Sequence, residues 1–320
     1  MKGSIPLSII DHKSPDIVIS EFIDKDVALK ILCDFNVHYD PMLVDDRNKL
    51  FKKLSKARAI IVRNRTKIDK ALLENAPNLK VIGRLGVGLD NIDLEACKNR
   101  KVIVCPATGA NDTAVAEYTI TAALILMRRV WHATEKIIDG KWPRTDLMGH
   151  EISGKRMGLI GFGSIARKVA KRASALGMEI FTYDPYLTLN NSVTSNINQV
   201  SIIDLARNCH VISVHVPYTS ETHQLIDTNF ICNMRPEAVL INTARGGIVN
   251  ESEVINALCE KKLGGAALDV FENEPLNIKN SHLFKNVPNL ILTPHIAGIT
   301  KEANQRVSLL TAQNILKHLS

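Results

Sequence analysis

The 320-residue sequence lacks a hydrophobic run long enough to cross a membrane, since its longest apolar stretch extends only from Ile120 to Met127 and a membrane helix needs roughly 20 apolar residues. Its six cysteines form no CxxC pair and have no metal-ligand spacing with histidine. This excludes a disulfide framework and predicts no metal site. Charged residues interrupt the N-terminal segment before an apolar stretch can form, so we expect no secretory signal and a cytoplasmic protein.

The chain also has few aromatic residues and no concentrated block of positive charge. Aromatic residues are 5% of the sequence, hydrophobic residues 45% and charged residues 23%, which is typical of a folded protein and not of a disordered one. The formal net charge is +7, but the lysines and arginines occur as scattered pairs. This distribution favours a small anionic ligand over nucleic acid or a membrane surface.

Short β-branched runs alternate with helical patterns along the whole chain, which predicts βα units and parallel sheets. We expect a first series of strands near 17–19, 59–62, 79–82 and 102–104, and a second near 157–160, 179–183, 211–216, 238–242, 265–270 and 290–292. Helices are predicted over 113–139, ended by Gly140, and over 301–317. These series predict two domains, one formed by 1–105 plus 298–320 and the other by 106–297.

A glycine-rich turn follows the strand predicted at 157–160. Gly161, Gly163 and Ala166 have the GxGxxA spacing between a strand and a helix, in which the glycines permit a tight turn and a close approach of the backbone to a pyrophosphate. Asp184 stands eighteen residues after Ala166, at the end of the next strand. A carboxylate there binds the ribose 2′-hydroxyl and repels a 2′-phosphate, so we expect NAD as the cofactor.

Three later segments place reactive side chains just after predicted strands, where α/β sheets bind ligands. The first, 242–247, carries Arg245 beside two glycines. The second, 269–275, carries Asp269 and Glu274 and ends in a proline. The third, 293–298, holds His295 between a proline and a later glycine.

In this order, the nucleotide turn and the three segments resemble the D-isomer-specific 2-hydroxyacid dehydrogenases, with most likeness to the phosphoglycerate and sulfolactate dehydrogenase branches. The resemblance covers nearly the whole chain and implies an α/β protein with a Rossmann dinucleotide-binding domain and a discontinuous flavodoxin-like substrate domain. It implies that Arg245, Glu274 and His295 are catalytic. The cofactor residues that it implies, with those of the turn, are Gly161, Gly163, Ser164, Ile165, Asp184, Val216, Pro217, Thr243, Ala244, Asp269 and Gly298.

These three residue types suit the oxidation of a 2-hydroxy acid. A base must accept the hydroxyl proton while hydride passes to the nicotinamide, and histidine is suited to that task near neutral pH. A carboxylate on the other ring nitrogen, here Glu274, would fix the tautomer of His295. Arg245 can bind the substrate carboxylate through its planar guanidinium group.

Two further segments bear on the substrate. Arg63, and Arg84 with the Gly86–Val87–Gly88 backbone, resemble the substrate-domain segments of the family. Several arginines suit a 2-hydroxy or 2-keto acid with a second anionic group, either 3-phosphoglycerate-like or sulfolactate-like. Val87 replaces the threonine common at this position in phosphoglycerate dehydrogenases, which counts against 3-phosphoglycerate as the substrate. Only 25 residues follow His295, so we expect no regulatory domain.

The resemblance also implies a homodimer. Trp142 follows the long predicted helix that pairs subunits in this family, so it either reaches a neighbour's site or packs in a core or an interface. A non-catalytic NAD(H)-sensing protein on the same fold is the alternative function, because transcriptional corepressors share the fold. The lack of an added interaction segment argues against it.

Overall fold

The computed structural model describes residues 14–131, 133–187 and 197–320. The charged N-terminal segment on which the absence of a secretory signal is predicted lies outside these residues. The chain divides into two compact units, Met1–Asn111 with Lys301–Ser320 and Asp112–Thr300. Their borders lie six and three residues beyond the borders predicted at 105 and 297. No helix among the described residues is long and apolar enough to cross a membrane.

The helices and strands alternate along the chain. The strands are β1 Ile17–Ile19, β2 Val37–Tyr39, β3 Ala59–Val62, β4 Val81–Arg84, β5 Ile103–Pro106, β6 Arg156–Ile160, β7 Glu179–Tyr183, β8 Ile197–Gln199, β9 Val211–Val214, β10 Val239–Asn242, β11 Gly265–Leu268 and β12 Leu290–Leu292. The helices are α1 Lys25–Ile31, α2 Arg47–Leu54, α3 Lys70–Glu74, α4 Leu94–Asn99, α5 Asp112–Arg128, α6 Ala133–Ile138, α7 Ser164–Ala175, α8 Ile202–Asn208, α9 Thr228–Asn233, α10 Glu251–Cys259, α11 Ile278–Ser281 and α12 Lys301–Leu319. Short 3₁₀ helices cover Pro41–Asp45 and His282–Phe284.

The first unit contains a five-stranded parallel sheet in the order β2-β1-β3-β4-β5, which is the flavodoxin-like order. The apolar runs of β1, β3 and β4 are buried, as expected for strands covered on both faces. Helix α12 packs on this sheet. A Cβ at Gly83 would lie 2.7 Å from the Thr311 Cγ2 atom, so glycine permits the close approach of α12 to β4.

The second unit contains a seven-stranded parallel sheet in the order β12-β11-β10-β9-β6-β7-β8. This order confirms the predicted dinucleotide-binding architecture, because the strand order reverses between β6 and β9 and leaves a crevice at their carboxyl ends. One core layer packs α5 and α7 on the sheet, with side chains such as Leu126 and Val169. The other packs α8, α9 and α10 on the opposite face, with side chains such as Phe230 and Val254.

The single helix predicted over 113–139 is wrong, because the structure has α5 and α6 instead. Helix α5 ends in a Schellman motif: the Arg129 N–H donates to the Leu126 carbonyl at 3.2 Å, and the Val130 N–H donates to the Ile125 carbonyl at 3.4 Å. Arg129 adopts a φ of 54°. The sequence hides this helix end because the position that commonly holds glycine holds arginine.

Candidate active site

The glycine turn connects β6 to α7. Gly161 has a φ of 86°, and a Cβ there would lie 2.7 Å from the His215 carbonyl oxygen, so the turn requires glycine where it meets the end of β9. A Cβ at Gly163 would meet no atom within 4 Å. Gly163 is the N-cap of α7 and provides no side-chain acceptor. The first N–H groups of the helix, beginning at Ser164 and Ile165, therefore suit a pyrophosphate.

Asp184 lies beside this turn, directly after β7. Its Oδ2 accepts the Phe162 N–H at 2.8 Å, and its Oδ1 accepts the Tyr186 N–H at 2.9 Å. These bonds fix the carboxylate next to the glycine turn, while each oxygen keeps a lone pair for a further donor. The ribose-binding role of Asp184 stays a prediction.

Thr243 follows β10, and its hydroxyl is a buried polar atom that has no hydrogen-bond partner among the described residues. A buried hydroxyl without a partner is costly, so a ligand at this strand end would satisfy it. Val216 is half-buried, and its Cγ1 would lie 2.7 Å from a Cβ at Gly161, which places Val216 against the turn. Pro217 next to it is exposed. These features and the glycine turn fit a dinucleotide.

His295 and Glu274 form a hydrogen-bonded pair. The His295 Nδ1 lies 2.8 Å from the Glu274 Oε2, while the Glu274 Oε1 accepts the Phe271 N–H at 3.0 Å. Burial opposes the ionisation of Glu274, but the hydrogen bond and charge of His295, the Phe271 N–H and the charge of Arg245 together hold its pKa below the usual value. An ionised Glu274 accepts a hydrogen bond from the Nδ1–H of His295, which leaves Nε2 of the ring for proton exchange.

Arg245 lies in the loop after β10. Its Nη1 donates to the Ala244 carbonyl at 2.6 Å, and its own carbonyl accepts from the Asn242 side chain at 2.9 Å. A Cβ at Gly246 would lie 1.9 Å from the Phe271 carbonyl oxygen, so this glycine lets the Arg245 loop pack on the loop of Glu274. The structure thus brings together the three residues predicted to be catalytic.

Asp269 has a structural contact that the sequence does not reveal. It is buried after β11, and its carboxylate accepts the Thr293 hydroxyl at 2.6 Å and the Ile296 and Ala297 N–H groups at 2.8 Å each. Burial raises the pKa of Asp269 and outweighs these bonds, which act in the other direction. The contacts hold the loop that carries His295 and leads to Gly298. The Tyr118 hydroxyl adds a further hydrogen bond to this network, since it lies 2.5 Å from the Thr293 Oγ1.

His295 itself adopts a φ of 56°, in the left-handed region that non-glycine residues seldom occupy. Its N–H donates to the Asp269 carbonyl at 2.8 Å and to the Thr293 carbonyl at 3.0 Å. Asp269 therefore contacts this loop through its main chain and its side chain. Such strain is kept where the surrounding contacts determine the conformation.

The substrate residues predicted in the first unit follow β3 and β4. Arg63 is half-buried, and its Nη2 donates to the Asn304 Oδ1 at 2.7 Å. Arg84 is buried at 8% exposure and packs over Gly86, where a Cβ would lie 1.9 Å from the Arg84 Nη1 atom, so the glycine leaves room for the guanidinium. Arg65, in contrast, is exposed and paired with Asp45.

One detail of this prediction changes. The Gly86 N–H donates to the Arg84 carbonyl at 2.9 Å, so it belongs to its own turn and is not available to a ligand carboxylate. Val87 is 40% exposed and Gly88 is half-buried. The backbone groups that remain candidates for a ligand are those of Val87 and Gly88.

A candidate metal site is absent from the part of the chain that the structure describes. No three histidine, cysteine, aspartate or glutamate side chains in it could hold a metal ion. The Trp142 side chain is 76% exposed. This excludes packing of Trp142 in the core of its own unit, which was one of the alternatives in the sequence analysis.

A family model described as D-isomer specific 2-hydroxyacid dehydrogenase, NAD binding domain, matches residues 120–297. The chain is 44% identical over 305 residues to the (S)-sulfolactate dehydrogenase of Chromohalobacter salexigens, across 95% of this chain and 98% of that protein. It is 39% identical to the D-3-phosphoglycerate dehydrogenase of Archaeoglobus fulgidus across 84% of this chain but 51% of that protein. It thus spans about half the length of the latter relative.

A solved structure supports the same assignment. The D-lactate dehydrogenase from Aquifex aeolicus, complexed with NAD and lactic acid, has a TM-score of 0.84 and 28% identity over 95% of both chains. The relatives named here are dehydrogenases, and none supports the alternative of a non-catalytic NAD(H) sensor. The family, fold and cofactor predicted from the sequence are confirmed: the chain belongs to the D-isomer-specific 2-hydroxyacid dehydrogenases and is an NAD-dependent oxidoreductase.

Proposed function

We propose that the enzyme interconverts a 2-hydroxy acid and its 2-keto acid, and that its substrate carries a second anionic group, with sulfolactate as the first candidate. The observation that carries the chemistry is the hydrogen bond between His295 and Glu274, in a loop that packs on the loop of Arg245. The sulfolactate dehydrogenase that this chain matches over nearly its whole length favours a sulfonate as the second anion.

For the oxidation, NAD held at the glycine turn would supply the acceptor for the hydride of the substrate carbon. His295 accepts the hydroxyl proton at Nε2, because Nδ1 is held by Glu274. The Glu274 carboxylate stabilises the imidazolium that this transfer creates. Arg245 binds the substrate carboxylate and, in the reduction, polarises the keto oxygen.

The second unit supplies the groups that hold the cofactor. Ser164 and Ile165 offer N–H groups at the start of α7 to the pyrophosphate, and Asp184 accepts a ribose hydroxyl. Thr243 offers a buried hydroxyl. Val216 and Pro217 follow β9, Ala244 follows β10 and Gly298 lies in the loop after β12, so these residues are proposed to contact the cofactor as well. Asp269 positions the His295 loop and keeps a lone pair for the carboxamide of the nicotinamide.

The first unit supplies the groups for the second anion. Arg63 and Arg84 provide positive charge, and the Val87 and Gly88 N–H groups are proposed to contact the substrate carboxylate. A sulfonate or a phosphate has three acceptor oxygens, which suit a guanidinium group.

We also propose that the enzyme is a cytoplasmic homodimer. The segment 133–148 exposes Ile138 at 79%, Trp142 at 76% and Met148 at 71%, and clustered exposed apolar side chains mark interfaces. A second copy of this chain is the proposed partner. All six cysteines are free thiols, which suits a reducing compartment.

The test is the initial rate of NAD⁺ reduction with both sulfolactate enantiomers, D- and L-3-phosphoglycerate, D-lactate and D-glycerate. We expect the highest kcat/KM for a sulfolactate. A preference for lactate or glycerate would contradict the proposed second anion. A lack of turnover with every acid, together with tight NADH binding, would contradict the catalytic roles and favour the sensor.

A further inference from the structure

The surroundings of Arg63 differ from those of an ordinary surface arginine. The order of the first sheet reverses between β1 and β3, and Arg63 directly follows β3. Open α/β sheets bind ligands at the carboxyl ends of the strands where the order reverses. Arg63 therefore lies at the ligand-binding edge of its own unit.

Two neutral groups hold the guanidinium of Arg63. The Asn304 Oδ1 on α12 accepts from its Nη2 at 2.7 Å. The ring of Phe22, which follows β1, lies 5.6 Å from its central carbon and makes a cation–π contact. These contacts fix the direction of the Arg63 side chain but do not neutralise its positive charge.

The neighbouring carboxylate is used elsewhere. Glu21 is buried at 5% exposure and accepts the N–H groups of Arg63 at 2.9 Å, Arg65 at 3.1 Å and Thr66 at 2.9 Å. Both oxygens of Glu21 therefore accept backbone N–H groups and hold the turn after β3 in its conformation. Among residues 14–131, 133–187 and 197–320, no carboxylate forms an ion pair with the Arg63 guanidinium.

The Arg63 guanidinium also keeps an unused donor. Its Nε is buried and has no acceptor within hydrogen-bond distance among the described residues. Burial lowers the pKa of Arg63 and outweighs the opposing charge of Glu21. A partly buried cation with an unsatisfied donor gains free energy when an anion binds. Arg65 has no such need, because Asp45 already pairs with it.

We propose that Asn304 is a specificity-determining positioning residue, which orients Arg63 with a neutral amide and so reserves the arginine's charge for the sulfonate or phosphate group of the substrate. This inference rests on the proposed function and deepens it. It concerns the choice between dianionic and monoanionic 2-hydroxy acids. A carboxylate at position 304 would neutralise the charge of Arg63 and remove the preference for dianionic 2-hydroxy acids.

The test is Asn304→Asp, which changes the charge and almost nothing of the shape. We expect the ratio of kcat/KM for sulfolactate to that for D-lactate to fall by at least about tenfold, mainly through a higher KM for sulfolactate. Asn304→Ala, which loses the contact without adding charge, is expected to lower the ratio less. If Asn304 had a purely structural role, the two variants would lose kcat/KM equally for both substrates, and the ratio of sulfolactate to D-lactate would not change.

The control is Gln313→Glu, which adds the same charge at an exposed position nine residues further along α12, about 13 Å away. We expect it to retain the wild-type ratio, and melting temperatures to show that all variants fold. An unchanged ratio in Asn304→Asp, with wild-type preference for sulfolactate, would overturn the inference.

A second readout separates this inference from the proposed function. Inorganic sulfate is used as a competitive inhibitor of whichever 2-hydroxy acid the wild type oxidises. We expect its inhibition constant to rise at least about tenfold in Asn304→Asp. If the wild type prefers D-lactate but sulfate inhibition weakens in this way, the anion site stands and the proposed substrate class fails. If sulfate inhibition is unchanged, the inference about Asn304 fails.

Discussion

At the scale of single residues, Glu274 gives the clearest prediction. Glu274→Gln keeps the shape of the His295 partner but removes the charge that stabilises the imidazolium, so we expect kcat for oxidation to fall by roughly 10- to 100-fold. Glu272→Gln is the matched control, because Glu272 is an exposed carboxylate in the same loop. Steady-state kinetics at neutral pH measures both, and equal effects in the two variants would remove the proposed role.

The pH dependence of stability follows from the same residue. The pKa of Glu274 is lower in the folded chain than its ordinary value of 4.5. Its ionised form therefore stabilises the fold above that value, and the contribution is lost as the pH falls through the lowered pKa. The melting temperatures of the wild type and Glu274→Gln should differ most at neutral pH and converge in acid. A constant difference at all pH values would contradict the stabilisation of the fold by the ionised Glu274 carboxylate.

The negative charge of Asp184 is expected to determine the preference for NAD⁺ over NADP⁺. Asp184→Asn keeps an acceptor for the backbone but removes the negative charge that repels a 2′-phosphate. We expect the ratio of kcat/KM for NAD⁺ to that for NADP⁺ to fall by at least about tenfold. A ratio that stays at the wild-type value would assign Asp184 to the folding of the glycine turn alone.

At the scale of elements, the loop after β12 depends on a chain of hydrogen bonds from α5. Thr293→Val removes the hydroxyl between Tyr118 and Asp269, so we expect a loss of about 1.5–3 kcal/mol in stability, typical of hydrogen bonds to charged groups. We also expect a lower kcat, because His295 belongs to the same loop. Tyr118→Phe keeps the bond between Thr293 and Asp269 and should have a smaller effect. Thermal unfolding and steady-state kinetics of the two variants test which effect is larger. A larger effect of Tyr118→Phe would contradict the proposed chain of hydrogen bonds.

The two strands that the sequence missed both lie at sheet edges. The interior strands β3 and β9 are continuous apolar runs because both of their faces are buried. The missed strands, β2 and β8, have the mixed sequences VHY and INQ, whereas the edge strand β12 has the apolar sequence LIL and was predicted. The side chains of β2 and β8 are only partly buried or exposed, so the hydrophobic pattern of these two strands is weak.

The same reasoning applies to the site. His295, Glu274 and Arg245 could be found because each follows a strand and sits in a recognisable local segment. Asn304 could not, because it is 241 residues from Arg63 and only the packing of α12 on the first sheet brings the two together. The bonds from Asp269 to the Thr293–Ala297 loop were missed for the same physical reason.

At the scale of the whole molecule, the exposed apolar side chains of segment 133–148 predict its state of association. Trp142→Glu and Ile138→Glu each place a charge in the proposed interface, where desolvation of an unpaired charge is costly. We expect light scattering to give about twice the chain mass of 35.4 kDa for the wild type and a shift toward the single-chain mass for both variants.

The matched control for this prediction is Ile278→Glu on α11. Ile278 is 90% exposed, so it tests whether any exposed isoleucine has the same effect. We expect this variant to keep the wild-type mass, because a single apolar residue outside a cluster does not form an interface. If all three variants dissociate alike, the loss is not specific to segment 133–148. If the wild type is itself a monomer at micromolar concentration, the apolar side chains of this segment need a partner other than a second copy of the chain.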